Sequence, residues 1–373
     1  MVPLLAWLWF GDSAAKPRTV GDQACVACHS AVAASYHDTA HAHASSAPTS
    51  QSIGGSFASG DNVLRTANPD LSFTLDRTDQ GFFETAHRKQ SADREMSRSE
   101  RIDVVIGSGR KGQTYLFWNG DTLLELPVSY WTSIHGWVNS PGYADGTADF
   151  ERPIIPRCLE CHATSFTSAA PPENRYERRS LVLGISCEKC HGPGSEHVRV
   201  ETASAPQRAP DPNIVNPARL TRERQLDLCS LCHDGTGESL TPALTYQPGD
   251  DIARDLRFTR GAAGGSIDVH AGQVRLLRQS RCFQSSSTFS CATCHDVHRA
   301  QRDPASFVPV CLSCHAVADC GRFPSLGASL ANRCIDCHMP LQTTAKIVSG
   351  VEGRTVQPQV RNHRIGIYPE LGL

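Results

Sequence analysis

Seven Cys-x-x-Cys-His pentapeptides run through this chain of 373 residues. They comprise Cys25, Cys28 and His29; Cys158, Cys161 and His162; Cys187, Cys190 and His191; Cys229, Cys232 and His233; Cys291, Cys294 and His295; Cys311, Cys314 and His315; and Cys334, Cys337 and His338. Nothing else in the sequence limits the fold so strongly. Two thiols three positions apart can each form a thioether with one vinyl group of a single porphyrin, and the adjacent histidine then lies under the iron as its proximal ligand. At the chain's own Cys and His frequencies, chance supplies on the order of 0.03 such pentapeptides, so the set is not accidental. Each reads as an attachment site for haem c, which makes seven covalently bound haems.

An isolated Cys-x-x-Cys also reads as half of a zinc knuckle or as a redox dithiol. Structural zinc needs two such halves, however, and seven copies that all end in His give no sensible pairing. Seven cofactors in 373 residues leave about 53 residues for each. Hydrophobic residues make up only 39% and aromatics 7%, so the porphyrins must supply much of the apolar core. The expected fold is a multihaem cytochrome c: mostly short α-helices and irregular loops around a haem stack, with a β-rich insert at about residues 57–130.

The formal net charge is −2, which predicts no affinity for nucleic acid, and haem propionates would make the loaded protein more acidic. Residues 1–15 read as a secretory signal: Val2 to Phe10 is an apolar run, followed by small residues at Ser13, Ala14 and Ala15. A basic segment before the run is missing, and an expected secretory signal truncated at its start would account for that. The run is too short to span a bilayer and no other stretch is long enough, so no membrane span is expected. Haem is attached to such motifs outside the cytoplasmic membrane, which predicts a periplasmic or otherwise exported protein. Cys282 and Cys320 are left over from the motifs. A disulfide between them, free thiols, and a thiolate near an iron all remain open.

Four regions follow from patterning: the signal at 1–15, a first haem segment at 20–50, a β-rich insert at 51–150, and a six-haem segment at 151–373 that packs with the first into one cytochrome domain. The stretch Ser30 to Ser45 is alanine-rich and reads as a helix with His37 and His41 on one face. In the insert, Leu71, Phe73 and Leu75 alternate with polar residues, Asp79 to Gly81 gives a turn, and Asn119-Gly120 reads as the turn of a hairpin. About five strands are expected there, with Arg88 to Arg101 solvated.

The second axial position of each iron decides what such a protein does: filled, it makes an electron carrier; open, it can bind and transform a small molecule. Nine histidines lie outside the motifs, enough for seven bis-histidine haems. Apart from Met1 only Met96 and Met339 are methionines, so His/Met ligation is a minor theme. His197, six residues after His191, and His298, three after His295, sit too close to cap their own haem and are placed to cap a neighbour's. His41 follows the first motif as a further distal candidate, with His37 and His43 as competitors. His87 and His135 lie in or beside the β-rich insert, where an ordinary polar histidine is an equal reading.

The N-terminal CVACH with YHDTAHAHA, then CEKCHGPGSEH, CATCHDVH and CIDCHMP, resembles the multihaem cytochromes of the cytochrome c-552/4 group, relatives of the tetrahaem cytochrome c-554. Within the insert, IGSGRKGQTYLFW, LPVSYW, NSPGY and RPIIPRCLECH are similar to members that carry it. The resemblance runs from about Gly21 to the C-terminus. It implies His197, His298, His270 and His363 as distal iron ligands, with His41 from the first helical segment. This chain departs from cytochrome c-554 in offering seven haem motifs instead of four, and no motif ends in Lys as in pentahaem nitrite reductases. The resulting expectation is an exported heptahaem c-type cytochrome carrying electrons between redox partners through closely packed, mostly bis-His haems. The partners would be redox donors and acceptors, such as a membrane quinol-oxidising module or other cytochromes. The alternative is a multihaem oxidoreductase with one five-coordinate catalytic haem acting on a small nitrogen or sulfur compound.

Overall fold

The computed structural model describes residues 17–169, 174–203, 211–235, 237–258, 272–344 and 346–369. The signal at 1–15 and His270 lie outside the described residues. Two antiparallel sheets dominate the first part of the chain. One has the order β1 (Ser45–Ser46), β6 (Val104–Ile106), β7 (Gly112–Asn119), β8 (Thr122–Trp131), β9 (Gly136–Asn139); the other runs β2 (Val63–Arg65), β3 (Leu71–Thr78), β4 (Gly81–Ser91), β5 (Arg94–Arg101).

Period-two alternation explains how the sheets pack. Leu71, Phe73 and Leu75 of β3 point inward, as do Phe82, Glu84 and Ala86 of β4. They meet Tyr115, Phe117, Leu126 and Val128 from β7 and β8 in one core. The five-stranded sheet is also covered on its other face. There Val104, Leu116 and Leu123 pack against Ile154, Leu159, Phe166 and Tyr176. Both faces of β8 are therefore buried, which is why its sequence reads as a nearly continuous apolar run. This second core docks the first haem motif of the long C-terminal segment onto the sheet.

Eight strands lie between residues 63 and 139 where about five were expected, and the sheets reach from residue 45 to residue 139. The stretch expected to be solvated, Arg88 to Arg101, is solvated but is also strand: β4 and β5 pair from Phe83↔Arg101 to Ser91↔Arg94. Almost every residue of β5 is exposed, so it has no apolar alternation by which it could be recognised. The β7–β8 hairpin forms as expected, but Asn119 pairs with Thr122, so Gly120 and Asp121 make the turn, with Gly120 at φ 63°.

The helices are short. α1 (Asp22–His37) carries the first motif and leaves helical geometry at His29, with φ −110° and ψ 36°. It starts before Ser30 and stops at His37, so His41 lies in the following turn instead of sharing a helix face with His37. α2 (Pro156–His162), α3 (Cys187–His191), α4 (Ser195–Glu201) and α5 (Arg222–His233) follow. Pro156 opens α2 at a position where a missing N–H costs nothing. The fifth motif begins in a 3-10 turn, Cys291–Thr293; the sixth and seventh ride on the short helices Val308–Leu312 and Cys334–His338. Among the described residues, no helix is long and apolar enough to cross a membrane.

Candidate haem-binding centre

The variable residues inside the motifs fasten the motifs to one another. Glu188, the second residue of Cys-Glu-Lys-Cys-His, accepts hydrogen bonds from the backbone N–H groups of Val20 (2.9 Å), Gly21 (2.8 Å) and Gly194 (2.8 Å). Gly21 is the N-cap of α1, so one carboxylate joins the first motif's helix to the third motif. Glu160 of the second motif pairs with Arg157 at 2.6 Å with both side chains buried, and accepts from the N–H of Leu244. Arg157 in turn donates to the carbonyl of Leu231 at 2.7 Å, inside the fourth motif. Asp336 of the seventh motif pairs with Arg361 at 2.6 Å.

Cysteines of different motifs adjoin. The thiols of Cys25 and Cys187 lie close enough to perturb each other's ionisation, as do those of Cys161 and Cys232 and those of Cys229 and Cys291. Cys229 also feels Cys190, Cys294 feels Cys311, and Cys311 feels Cys334. The motifs therefore form one contiguous series. Burial pushes Cys190 and Cys294 up to about 11, and burial with the hydrogen bond and charge of Asp22 pushes Cys187 up to about 12. Thiols held protonated in this way are poor redox nucleophiles, which argues against reactive dithiols. Cys282 and Cys320 are both free thiols, so the disulfide considered for them does not form here. Cys282 lies in range of Cys294 and Cys311, whereas Cys320 lies near Cys334.

Four motif histidines each face a second imidazole. His29 and His197 have ring centres 6.4 Å apart with planes 17° from parallel. His191 and His298 are 6.1 Å apart at 22°, and His295 and His363 are 6.3 Å apart at 27°. His233 and His41 are 5.9 Å apart at 73°. This spacing has a chemical meaning. A histidine–metal bond of about 2 Å, with about 1.1 Å more to the ring centre, separates two trans imidazoles by about 6 Å. Rotation about that axis leaves the separation unchanged, so the 73° pair fits as well as the parallel ones. The donor set thus fits haem iron.

The other ring nitrogen is anchored in several of these histidines. Nδ1 of His191 meets the carbonyl of Val215 at 2.8 Å, that of His338 the carbonyl of Gly366 at 2.8 Å, that of His162 the carbonyl of Ala44 at 3.2 Å, and that of His363 the carbonyl of Arg361 at 3.2 Å. Such bonds fix the tautomer and leave Nε2 with its lone pair. Burial lowers the basicity of His41, His191 and His295, and takes His363 down to about 4, so these rings are neutral and able to ligate. His41 is held in place through its backbone: its carbonyl accepts from the N–H of Ile185 at 3.0 Å. Gly184, at φ +73°, lets this turn approach, since a Cβ there would stand 2.4 Å from the carbonyl oxygen of Ala42.

The remaining candidates stand apart. His87 is engaged at both ring nitrogens, with Thr74 at 3.0 Å and Glu95 at 2.9 Å. His135 is exposed at φ 48° in the turn before β9. His37 ends α1 on the surface, and His43 lines a small surface cleft with Asp38, Arg110 and Arg302. Among the described residues, no imidazole faces His315 or His338 at the spacing of the four pairs. Sequence reading named all four partner histidines; it missed Glu188, Glu160 and Asp211, whose contacts to Val20, Leu244 and His197 lie 14 or more residues away along the chain. An acidic residue between the cysteines of a motif was the only local signal.

Residues 142–192 match the sequence profile of the family described as cytochrome c554 and c-prime. The C-type polyhaem cytochrome OmcB of Geobacter sulfurreducens is 27% identical over 161 residues, 37% of this chain and 19% of the length of that relative. The crystal structure of the outer cell wall cytochrome OcwA superimposes with a TM-score of 0.53 at 16% identity, covering 91% of this chain and 82% of that one. An undecahaem cytochrome from the S-layer of Carboxydothermus ferrireducens gives a TM-score of 0.43 at 15% identity, covering 87% and 51%. Motifs, facing imidazoles and profile match point the same way: residues 142–192 are similar to the cytochrome c554 group, and the fold resembles that of the outer cell wall cytochrome OcwA.

Proposed function

We propose that the chain carries seven covalently bound haems c, one per motif, and conducts electrons between redox protein partners outside the cytoplasmic membrane. The observation that carries this reading is the set of four facing imidazole pairs at about the spacing of trans ligands on one metal. In this reading the motif cysteines form the thioethers and each motif histidine is a proximal ligand. His197, His298, His41 and His363 fill the distal positions of the first, third, fourth and fifth haems. His270 remains a distal candidate, as do His37, His43, His87 and His135 by elimination for the haems of His162, His315 and His338. Residues 20–50 and 151–373 form one cytochrome domain, and residues 51–150 are its β-rich insert.

When bound, each haem supplies a one-electron ferric/ferrous couple. The chain's own residues do the rest. Backbone carbonyls orient the imidazoles, the apolar cores exclude water, and adjoining motif cysteines would hold successive cofactors near one another. No side chain is needed as a general acid or base. A short export signal at 1–15 agrees with haem attachment outside the cytoplasm. The donors and acceptors would be other cytochromes or a membrane quinol-oxidising module.

The test is electron paramagnetic resonance and mass spectrometry of oxidised protein produced with intact haem-attachment machinery. Seven haem adducts and a spectrum dominated by low-spin ferric haem are expected. A largely bare polypeptide, or a predominantly high-spin spectrum, would refute the reading.

A further inference from the structure

One of the paired imidazoles is anchored by a carboxylate at hydrogen-bonding distance, whereas the carboxylate nearest Nδ1 of His298, that of Asp296, lies 3.9 Å away. His197 Nδ1 lies 2.6 Å from Oδ2 of Asp211, and the aspartate side chain is only 4% exposed. The anchored rings of His162, His191, His338 and His363 instead meet neutral backbone carbonyls. The carboxylate is itself held: its Oδ1 accepts from the backbone N–H of Asn213 at 2.8 Å and from Asn213 Nδ2 at 2.7 Å. Glu201, one turn after His197 on α4, brings a second carboxylate into the same cluster, with ligand atoms within 4.8 Å of one another. The trio could be mistaken for a separate cation site. But His197 has only two ring nitrogens: Nδ1 is committed to Asp211, and the ring faces His29 at 6.4 Å.

We infer that Asp211 is a positioning residue that gives His197 imidazolate character and makes the haem of the first motif the low-potential end of the series. The inference rests on the ligation reading given above. A carboxylate accepting Nδ1–H withdraws that proton from the ring and makes its other nitrogen a stronger donor. Ferric haem carries one more positive charge than ferrous haem, so a stronger donor and a nearby fixed negative charge both favour the ferric form. A carbonyl does the first far more weakly and the second hardly at all. The first motif stands at one end of the motif series, against the third through Cys25 and Cys187. Electrons delivered there would run downhill towards the other haems.

The experiment is redox titration with optical and paramagnetic detection on the haem-loaded wild type and on the variants Asp211→Asn, Asn213→Ala and His197→Ala. Asp211→Asn keeps the shape and a hydrogen-bond partner but removes the charge. It should leave seven low-spin haems and raise the potential of a single haem, shifting its one-electron equilibrium about tenfold, or 59 mV. Asn213→Ala removes a donor that drains charge from Asp211, so the same haem should move the opposite way. A merely structural role for Asp211 would not give shifts of opposite sign. Titrations of both variants that superimpose on wild type would overturn the inference; if His197→Ala nevertheless gains one high-spin haem, the ligation reading survives that failure. A His197→Ala spectrum identical to wild type would remove both.

Discussion

Replacement of Glu188 by Ala should loosen the first haem more than any other. The carboxylate accepts from three backbone N–H groups, those of Val20, Gly21 and Gly194, and the residue is 7% exposed. Removing it orphans all three donors. At about 1–3 kcal/mol for each unsatisfied buried group, and with these donors near the surface, the low end applies, giving about 3–5 kcal/mol in total. The positive N-terminal end of α1 also loses its counter-charge, which adds about 0.5 kcal/mol. The damage is directional because of what the three donors belong to. Val20 and Gly21 lead into the helix bearing His29, and Gly194 leads into the helix bearing His197. Glu188 therefore sets the separation of one imidazole pair. Glu188→Gln keeps one acceptor oxygen but offers an amide N–H to a donor, so it should show roughly half the loss. The assay is thermal melting of the haem-loaded protein followed in the Soret region, alongside the high-spin signal at a temperature below the melt. Unchanged melting in Glu188→Ala, or a high-spin signal spread evenly over several haems, would refute the reasoning.

Two carboxyls in the β-rich region predict a pH dependence. Burial pushes Glu84 well above its ordinary value, opposed by the N–H of Val128 and helped by nearby Glu125; burial also raises Glu125 to about 7 against the pull of Arg152. Each folded-state pKa exceeds the unfolded one, so the folded state holds protons that the unfolded state has released. Stability is therefore full below about pH 4.5 and is lost as pH rises towards and through 7, by up to about 1.4 kcal/mol per unit for each group. Glu84→Gln should flatten this slope in melts between pH 5 and 8; an unaltered slope would refute it. Gly184→Ala should drive a Cβ against the carbonyl of Ala42, displace His41 and produce one high-spin haem; a wild-type spectrum would count against His41 as a ligand. Protein made without haem attachment and then oxidised should form cross-motif disulfides Cys25–Cys187, Cys161–Cys232 and Cys229–Cys291, because each thiol of these pairs lies close enough to shift the ionisation of the other. Peptide mapping that finds only pairs within motifs would disprove this.

Legibility of the fold followed local burial. Strand β3 was readable because Leu71, Phe73 and Leu75 all enter one core while their neighbours face solvent. Strand β5 was not, because its side chains are nearly all exposed and its contacts, pairing with β4, Ser99 on Thr85, Glu95 on His87 and Arg98 over Phe150, are polar or cationic and leave no apolar alternation. The end of α1 was misjudged for a related reason. Alanines favour a helix through residue 45, but the chain must turn at Asp38 to bring His41 against Ile185 and β1 against β6. Tertiary demand overrides propensity there, and no single-residue preference reports it.

The site divides along the same line, between what covalent spacing dictates and what only the folded chain assembles. A pentapeptide carries its own chemistry, so the proximal positions needed no structure. The distal candidates came from spacing to a motif and from resemblance, which do not say which ring faces which motif: His298, expected to serve a neighbouring motif, faces His191, while His41 crosses to His233 from a turn. Least legible of all was the layer behind the imidazoles. Val215, Gly366, Ala44 and Arg361 contribute only carbonyls, which every residue has, and Asp211 is one acidic residue among 38. On the proposed reading, that layer is where one haem would differ electronically from the next, since the ligands themselves would all be histidine. Seven copies of one motif would then specify where electrons can sit; the direction in which they move would have to come from residues that no motif contains.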